Sequence, residues 1–336
     1  MLGGLGLALG FRAGLFNIGG KGQIIFGALS AVWVGFAMNL PPVIHTLVAL
    51  LAAMVAGALY AGIAGVLKAK TGANEVIVTI MLNSIATLAL GYILSKQSWQ
   101  VPGSNQPQTP KVADSAAFAR ILDAPFKIHM GVFVALLAVI VFWWLIERST
   151  LGFEIRAVGA NPEAARTAGI SVGKITAITM ALSGAFLGLA GANEALGTVG
   201  YVSRDITGTI GFDAITVALL GRNKPLGTLG AGILFGAFKA GGYTMQAKGV
   251  PIDMILILQS VIVLLIAAPM FVRWLFHLPK ETKKSLRAEL AELSDEHTEE
   301  DGKSPAAASA VKENAASEGG DAVVDGASTD SEGEAR

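Results

Sequence analysis

Long apolar runs separated by short polar breaks occupy the first 279 positions. Val43 to Leu67, Glu75 to Leu94, His129 to Ile146, Ile175 to Leu196 and Met254 to Trp274 approach or reach the roughly 20 residues a helix needs to cross about 30 Å of hydrocarbon. Ile24 to Met38, Gly208 to Leu220 and Leu226 to Ala240 are shorter, and residues 1 to 15 are apolar but too short to span, like the end of a longer element. The pattern predicts an all-α fold: a polytopic helical membrane protein with about eight to nine membrane segments, some of them broken helices. Residues 1–279 read as one transmembrane domain.

The breaks are informative. Phe11 to Gln23 interrupts an apolar run with glycines and amides, which membrane depth tolerates only where protein or a water-lined cavity satisfies the backbone. Pro41-Pro42 marks a turn. Lys96 to Lys127, with Pro102, Pro107, Pro110 and Pro125, reads as an extramembrane loop, and Trp143 and Trp144 suit an interface. Within the loop 147–175, Leu151 to Lys174 forms a polar, glycine-punctuated island. Phe153 to Gly159 reads as an amphipathic approach. Pro162 to Arg166 reads as a short helix with Asn161 as N-cap, Pro162 at N1 and Gly169 as C-cap. So much local structure on a surface loop predicts a docking element. Gly169 to Lys174 is not a phosphate loop, because its spacing is one residue short, Ile175 replaces the Ser/Thr and no strand precedes it.

Polar residues inside the spans form a second pattern. Glu75, Thr79 and Asn83 recur every fourth position and so share one helix face, a candidate pathway lining. Asn17, Gln23, Asn193, Glu194 and Asp213 add intramembrane polarity, with Asp213 a lone carboxylate lacking an obvious partner. Phe16, Asn17 and Gln23, the stripe on Glu75, Thr79 and Asn83, and Asn193 with Glu194 make up the candidate substrate pathway. Neutral amides with one or two carboxylates suit hydrogen bonding to a polar, largely uncharged small molecule. Gly184-x-x-x-Gly188 predicts close helix packing. Gly22 to Ala28 weakly echoes Gly232 to Phe238, as an internal repeat would.

Composition narrows the classes. The 336 residues are 53% hydrophobic and only 15% charged, with 41 glycines, which disfavours a soluble fold. The absence of cysteine excludes disulfides and thiol chemistry. His45, His129, His277 and His297 show no ligand spacing and read as interfacial or solvated. No cofactor is implied, and neither a His-Glu-x-x-His nor a Gly-x-Ser-x-Gly motif supports an enzyme.

A net charge of zero hides a division: residues 280–336 carry 7 Lys+Arg and 15 Asp+Glu, leaving 18 and 10 for the body. The acidic tail is expected to be disordered apart from one short helix at Lys283 to Leu293. The basic body points to lipid headgroups, not nucleic acid. Lys and Arg gather at alternate loops, which puts the island, the 221–225 turn and the tail in the cytoplasm. No cleavable signal peptide is evident at Met1-Leu2-Gly3-Gly4.

Several motifs in one order resemble the permease subunits of bacterial ATP-binding cassette (ABC) importers for nucleosides and simple sugars, the branched-chain amino acid/ribose-type family. They are Phe11 to Gln23, Asn74 to Asn83, Arg156 to Ala165, Ser183 to Gly191 and Gly211 to Gly221. The resemblance spans about residues 5–275. It implies the ABC importer permease fold in the bacterial cytoplasmic membrane, with separate cytoplasmic ATP-binding cassette subunits, an extracytoplasmic substrate-binding lipoprotein and a second, paralogous permease subunit. It also implies that the island docks on the ATPase, through Glu154, Arg156, Gly159, Asn161, Glu163, Ala164, Ala165 and Gly169. Transport of nucleosides is the first expectation. A simple-sugar importer is the alternative, and an ion-coupled secondary transporter a further one. Two departures from the family pattern stand out: the additional complete helix and the start of the next one that the family usually carries before the Phe11 to Gln23 motif are not seen here, and Lys21 stands where relatives generally have an acidic residue.

Overall fold

The computed structural model of the chain describes residues 1–101, 103, 106–122 and 128–246, with separate positions between 248 and 264. These fall in one unit, Met1–Pro269. The acidic tail, most of the last apolar run, His277 and His297 lie outside the described residues.

The first helix, α1 (Leu2–Arg12), is buried along nearly its whole length. An irregular segment then leads to α2 (Gly20–Ala37). The break read from Phe11 to Gln23 is thus real, and its core is residues 13–19. Next come α3 (Pro42–Thr71) and α4 (Glu75–Leu94). Pro42 at the first helical position starts α3, and Gly72, at φ +70°, ends it in the left-handed conformation that favours glycine. Asn74 caps α4 by accepting from the Val76 and Ile77 N–H groups.

Membrane helix α5 (Gly131–Arg148) leads into two loop helices, α6 (Thr150–Ala160) and α7 (Pro162–Thr167). The longest buried element follows: α8 (Val172–Asn193) runs on into a π-helical turn at Glu194–Val199 that Gly200 closes at φ +83°. Two further helices, α9 (Ile210–Leu220) and α10 (Pro225–Gln246), end the described core. Among the described residues, four helical stretches are long and apolar enough to cross a membrane, with shorter apolar helices at Leu2–Arg12 and Ile210–Leu220. The described residues are almost entirely helical outside loops, and the chain is a polytopic helical membrane protein.

The stretch Val172–Val199 is the axis of the fold: 72% of its apolar window is buried, against 22–39% for the other three. Small residues explain how its neighbours come so close. A Cβ on Gly57 or on Gly184 would strike the carbonyl of the other, one on Gly188 would strike the Ala53 carbonyl, and one on Gly191 the Ile24 carbonyl. The glycines of the Gly184-x-x-x-Gly188 pattern therefore face α3, where backbone meets backbone and dispersion replaces the hydrophobic drive that lipid cannot supply. Apolar side chains on the far face of α3, including Val43, Leu47, Leu51, Val55 and Leu59, are exposed as a lipid-facing or partner-facing surface requires.

The described parts of the long polar loop carry regular pairing. Arg120–Leu122 (β1) pairs antiparallel with Ile128–His129 (β2). Ahead of it, Thr109, Val112 and Phe118 donate backbone N–H groups to Val202, Gly200 and Leu196 carbonyls beyond α8. His45 corrects the expectation of a solvated ring. It is fully buried, with Nδ1 2.8 Å from Ser115 Oγ and Nε2 3.0 Å from the Val34 carbonyl, tying α3 to this loop.

Candidate functional site

The break between α1 and α2 would leave peptide groups without partners, and α4 supplies them. Glu75 Oε1 accepts from the Phe16 N–H at 3.4 Å, and Thr79 Oγ1 accepts from the Ile18 N–H at 3.2 Å. Asn83 does both jobs, accepting from the Gly22 N–H at 2.8 Å and donating to the Ile18 carbonyl at 2.9 Å. The four-residue spacing of this stripe thus matches a strip of unpaired backbone running along α4. Lys68 Nζ, at the end of α3, holds Glu75 Oε2 at 2.5 Å.

A pair of amides closes the break on its inner side. Asn17 Nδ2 donates to Gln23 Oε1 at 3.1 Å while Gln23 Nε2 donates to Asn17 Oδ1 at 3.0 Å. Asn17 also donates to Ser183 Oγ at 3.0 Å and accepts from the Gly19 N–H at 2.9 Å. Asn17, Gln23 and Ser183 are all buried, so each unmade bond would cost a full desolvation penalty. Gly19 has no room for a side chain, since its Cβ would lie 2.8 Å from Gln23 Nε2 and 3.0 Å from Asn17 Oδ1. Phe16 is exposed and packs on Phe11, with ring centroids 4.9 Å apart.

Six of the eight pathway candidates therefore meet in one place: Phe16, Asn17, Gln23, Glu75, Thr79 and Asn83. Asn193 and Glu194 do not join them. They sit where α8 turns into its π-helical end, with Asn193 Oδ1 against Gly131. Asp213 corrects the reading of a lone carboxylate. It pairs with Lys239 Nζ of α10 at 2.6 Å and accepts from Thr209 Oγ1 at 2.8 Å. The partners missed in sequence are Ser183, Lys68, Lys239 and Thr209, the last only four residues before Asp213. Lys68 and Glu75 flank the Gly72 turn, a local signal that could have paired them; Ser183 and Lys239 lie too far away to be matched.

The loop helices carry the other candidates. The inward face of α6 is Gly152, Ile155 and Val158, three apart, while Phe153 is exposed, so the amphipathic reading holds. Arg156 reaches Glu147 at 3.6 Å, and Glu154 lines a cavity of about 480 Å³ with Gly169, Ser171 and Lys174. Helix α7 starts where expected: Asn161 Oδ1 accepts from the Glu163 N–H at 3.0 Å and the Ala164 N–H at 3.1 Å. Ala168 is the last half-helical residue, and Gly169 follows at φ +84° while the Ile170 N–H returns to the Ala165 carbonyl. Only Ala165 of α7 is buried; Glu163, Ala164 and Arg166 face outward, with Glu163 and Arg166 paired at 3.1 Å. Gly159 fits against the carbonyl of Arg12, at the foot of α1.

The described residues thus form a glycine-packed helical core with a polar break held within it and a capped short helix in the loop after α5. Residues 1–267 match the family described as branched-chain amino acid transport system / permease component, and the chain belongs to that family. The resemblance carried by the five motifs is borne out, and the chain is a transport component, not an enzyme. It is similar to the guanosine ABC transporter permease protein NupP of Bacillus subtilis, 44% identical over 82% of this chain and 79% of that protein. The glucose ABC transporter permease protein TsgB13 of Haloferax volcanii is 36% identical over 82% of this chain and 75% of its own length. The nucleoside ABC transporter permease protein NupB of Lactococcus lactis subsp. cremoris is 32% identical over 84% and 79%. No solved structure matches the chain.

Proposed function

We propose that the chain is the transmembrane permease subunit of an ABC importer that carries nucleosides across the bacterial cytoplasmic membrane by alternating access, powered by separate ATPase subunits. The observation that carries this reading is α7, a capped helix of six residues with all but one side chain facing outward. A short helix that buries only Ala165 leaves its capped, outward face free, which suits insertion into a cytoplasmic ATPase subunit. Glu154, Arg156, Gly159, Asn161, Glu163, Ala164, Ala165 and Gly169 form the coupling surface in this proposal. The positive-inside bias of the 147–175 loop supports a cytoplasmic position for it and for the tail.

The substrate class rests on two supports. NupP and NupB are named for guanosine and nucleosides, and the polar groups at the break are neutral amides and hydroxyls with a single carboxylate. In the arrangement described, these groups bond to one another and to the break's backbone. Opening would release them to the hydroxyls and base edges of a nucleoside. A substrate-binding lipoprotein on the outer face and a paralogous second permease complete the assembly. TsgB13 favours a second reading, a simple-sugar importer.

The test is reconstitution with the ATPase subunits and binding protein into vesicles, followed by uptake of labelled guanosine and glucose. ATP-dependent guanosine uptake is expected, with glucose failing to compete. Glucose uptake would move the assignment to sugars. Uptake that persists without the ATPase and collapses with the ion gradient would make the chain a secondary transporter.

A further inference from the structure

We infer that the foot of α1, Arg12 to Gly14, is the seat through which the loop helices control the α1–α2 break, with Gly159 and Arg12 as the positioning residues. The inference rests on the proposed coupling role of the 147–175 loop. It names the route from that loop to the substrate path.

Two elements of the same membrane face converge on this seat. From one side, α6 lays Gly159 against the chain so tightly that a Cβ there would collide with the Arg12 carbonyl and stand 3.0 Å from the Ala13 carbonyl carbon. Gly14 answers it at φ +71°, its own Cβ position 3.6 Å from the Gly159 Cα. From the other side, Arg12 Nε donates to the Asn223 carbonyl at 2.9 Å. That carbonyl belongs to the turn between α9 and α10, where Arg222 and Asn223 both hold positive φ, at 52° and 55°. Left-handed backbone at two successive non-glycine residues is costly and needs surrounding structure to hold it. The Arg12 contact is one such hold.

The seat leads directly into the break. Two residues beyond Gly14 is Phe16, whose N–H is held by Glu75, and one further is Asn17, centre of the amide pair. Backbone contact without side chains transmits displacement with little slack, because close-packed atoms cannot be compressed. A shift of α6 driven from α7 must move Arg12, and the strand of chain from Ala13 to Gly19 moves with it. The α9–α10 turn is the fixed point on which Arg12 pivots. Phe16 and Asn17 are in this view the load that the loop moves.

The chain has no cysteine, so one introduced thiol is the only one it carries, and labelling read on this subunit after separation reports on the break. Phe16→Cys would be made in the full transporter, assembled with its ATPase, second permease and binding protein. The reaction rate of its thiol with a water-soluble maleimide would be measured without nucleotide and with ATP trapped by vanadate, alongside transport per ATP hydrolysed. The unaltered seat is expected to show a nucleotide-dependent rate. Adding Gly159→Ala should erase that dependence and lower transport per ATP roughly tenfold, within the usual range of coupling between sites. Gly173→Ala, whose Cβ would meet nothing closer than 3.5 Å, should change neither. If Gly159→Ala fails to assemble, Arg12→Ala, which inserts no atoms, decides by the same two readings. Nucleotide-dependent labelling and unchanged coupling in the deciding variant would overturn the seat while leaving the importer assignment standing. Uptake by the parent that ignores ATP would remove the importer assignment, and the seat with it.

Discussion

Asn17 Nδ2 and Ser183 Oγ lie 3.0 Å apart, joining the break after α1 to the axial helix α8 across 166 positions of sequence. The same amide is doubly bonded to Gln23. Asn17→Ala leaves the Gln23 amide and the Gly19 N–H without these partners in a buried site and should lower stability by roughly 1–3 kcal/mol. Ser183→Ala removes one acceptor and should cost about 0.5–1.5 kcal/mol. The double variant should cost less than the sum, because the two groups share one bond. Thermal unfolding in detergent measures all three, and strict additivity would show that the bond is not made.

The crossing of α3 and α8 makes a prediction about single methyl groups. Gly57→Ala and Gly184→Ala each drive a methyl into the opposite carbonyl and should destabilise by roughly 1–3 kcal/mol. Gly62→Ala lies on the same helix, with its nearest foreign atom, Ala181 Cβ, 3.9 Å away. It should stay within about 0.5 kcal/mol of the parent. Unfolding temperatures of the three variants, compared in one detergent, provide the check; equal effects would deny the close crossing.

The cap of α7 can be removed at Asn161, which lies just outside the helix. Asn161→Ala should cost about 1 kcal/mol of local stability, whereas Asn161→Asp should cost little, since a carboxylate also accepts at an N-cap. Gly169→Ala forces a Cβ into left-handed backbone and should cost about 1–2 kcal/mol. Hydrogen exchange of residues 162–167 should quicken in Asn161→Ala and Gly169→Ala, and uptake should fall with it. Unchanged exchange would refute the cap's role.

His129 offers a pH-dependent reading. Burial holds its pKa below the ordinary 6.5, and its unprotonated Nδ1 accepts from the Gly131 N–H at 3.2 Å. The unfolded ring takes up a proton near 6.5 while the native ring resists, so the unfolded state binds more protons as pH falls. The native advantage is complete above 6.5 and shrinks as pH falls through the lower native value. Unfolding temperature of the parent should therefore drop more than that of His129→Gln between pH 7.5 and 5.5; parallel curves would exclude the effect.

Local rules carried much of the fold. Asn161, Pro162 and Gly169 bounded α7 from the sequence because a cap bonds N–H groups two and three residues away, and the left-handed residue lies just past the last turn. The break from Phe11 to Gln23 was legible because glycines and amides inside an apolar run cannot continue a lipid-facing helix. The fourth-residue spacing of Glu75, Thr79 and Asn83 was enough to put them on one face. It did not say that the face meets the backbone of the break.

What the sequence determined by itself was the helical membrane class, the break, the capped loop helix and the polar stripe. All of these follow from steric and solvation rules that act within a few residues. The tertiary structure alone decided that Asn17 bonds Ser183, that Asp213 has Lys239, that His45 is buried, and that Gly159 rests on Arg12. Those pairings depend on which helices become neighbours, and that choice is a sum over close backbone crossings such as Gly57 with Gly184. A buried amide or carbonyl must be satisfied, but any donor that packing brings within reach will do, so spacing along the chain could announce the need and not the partner.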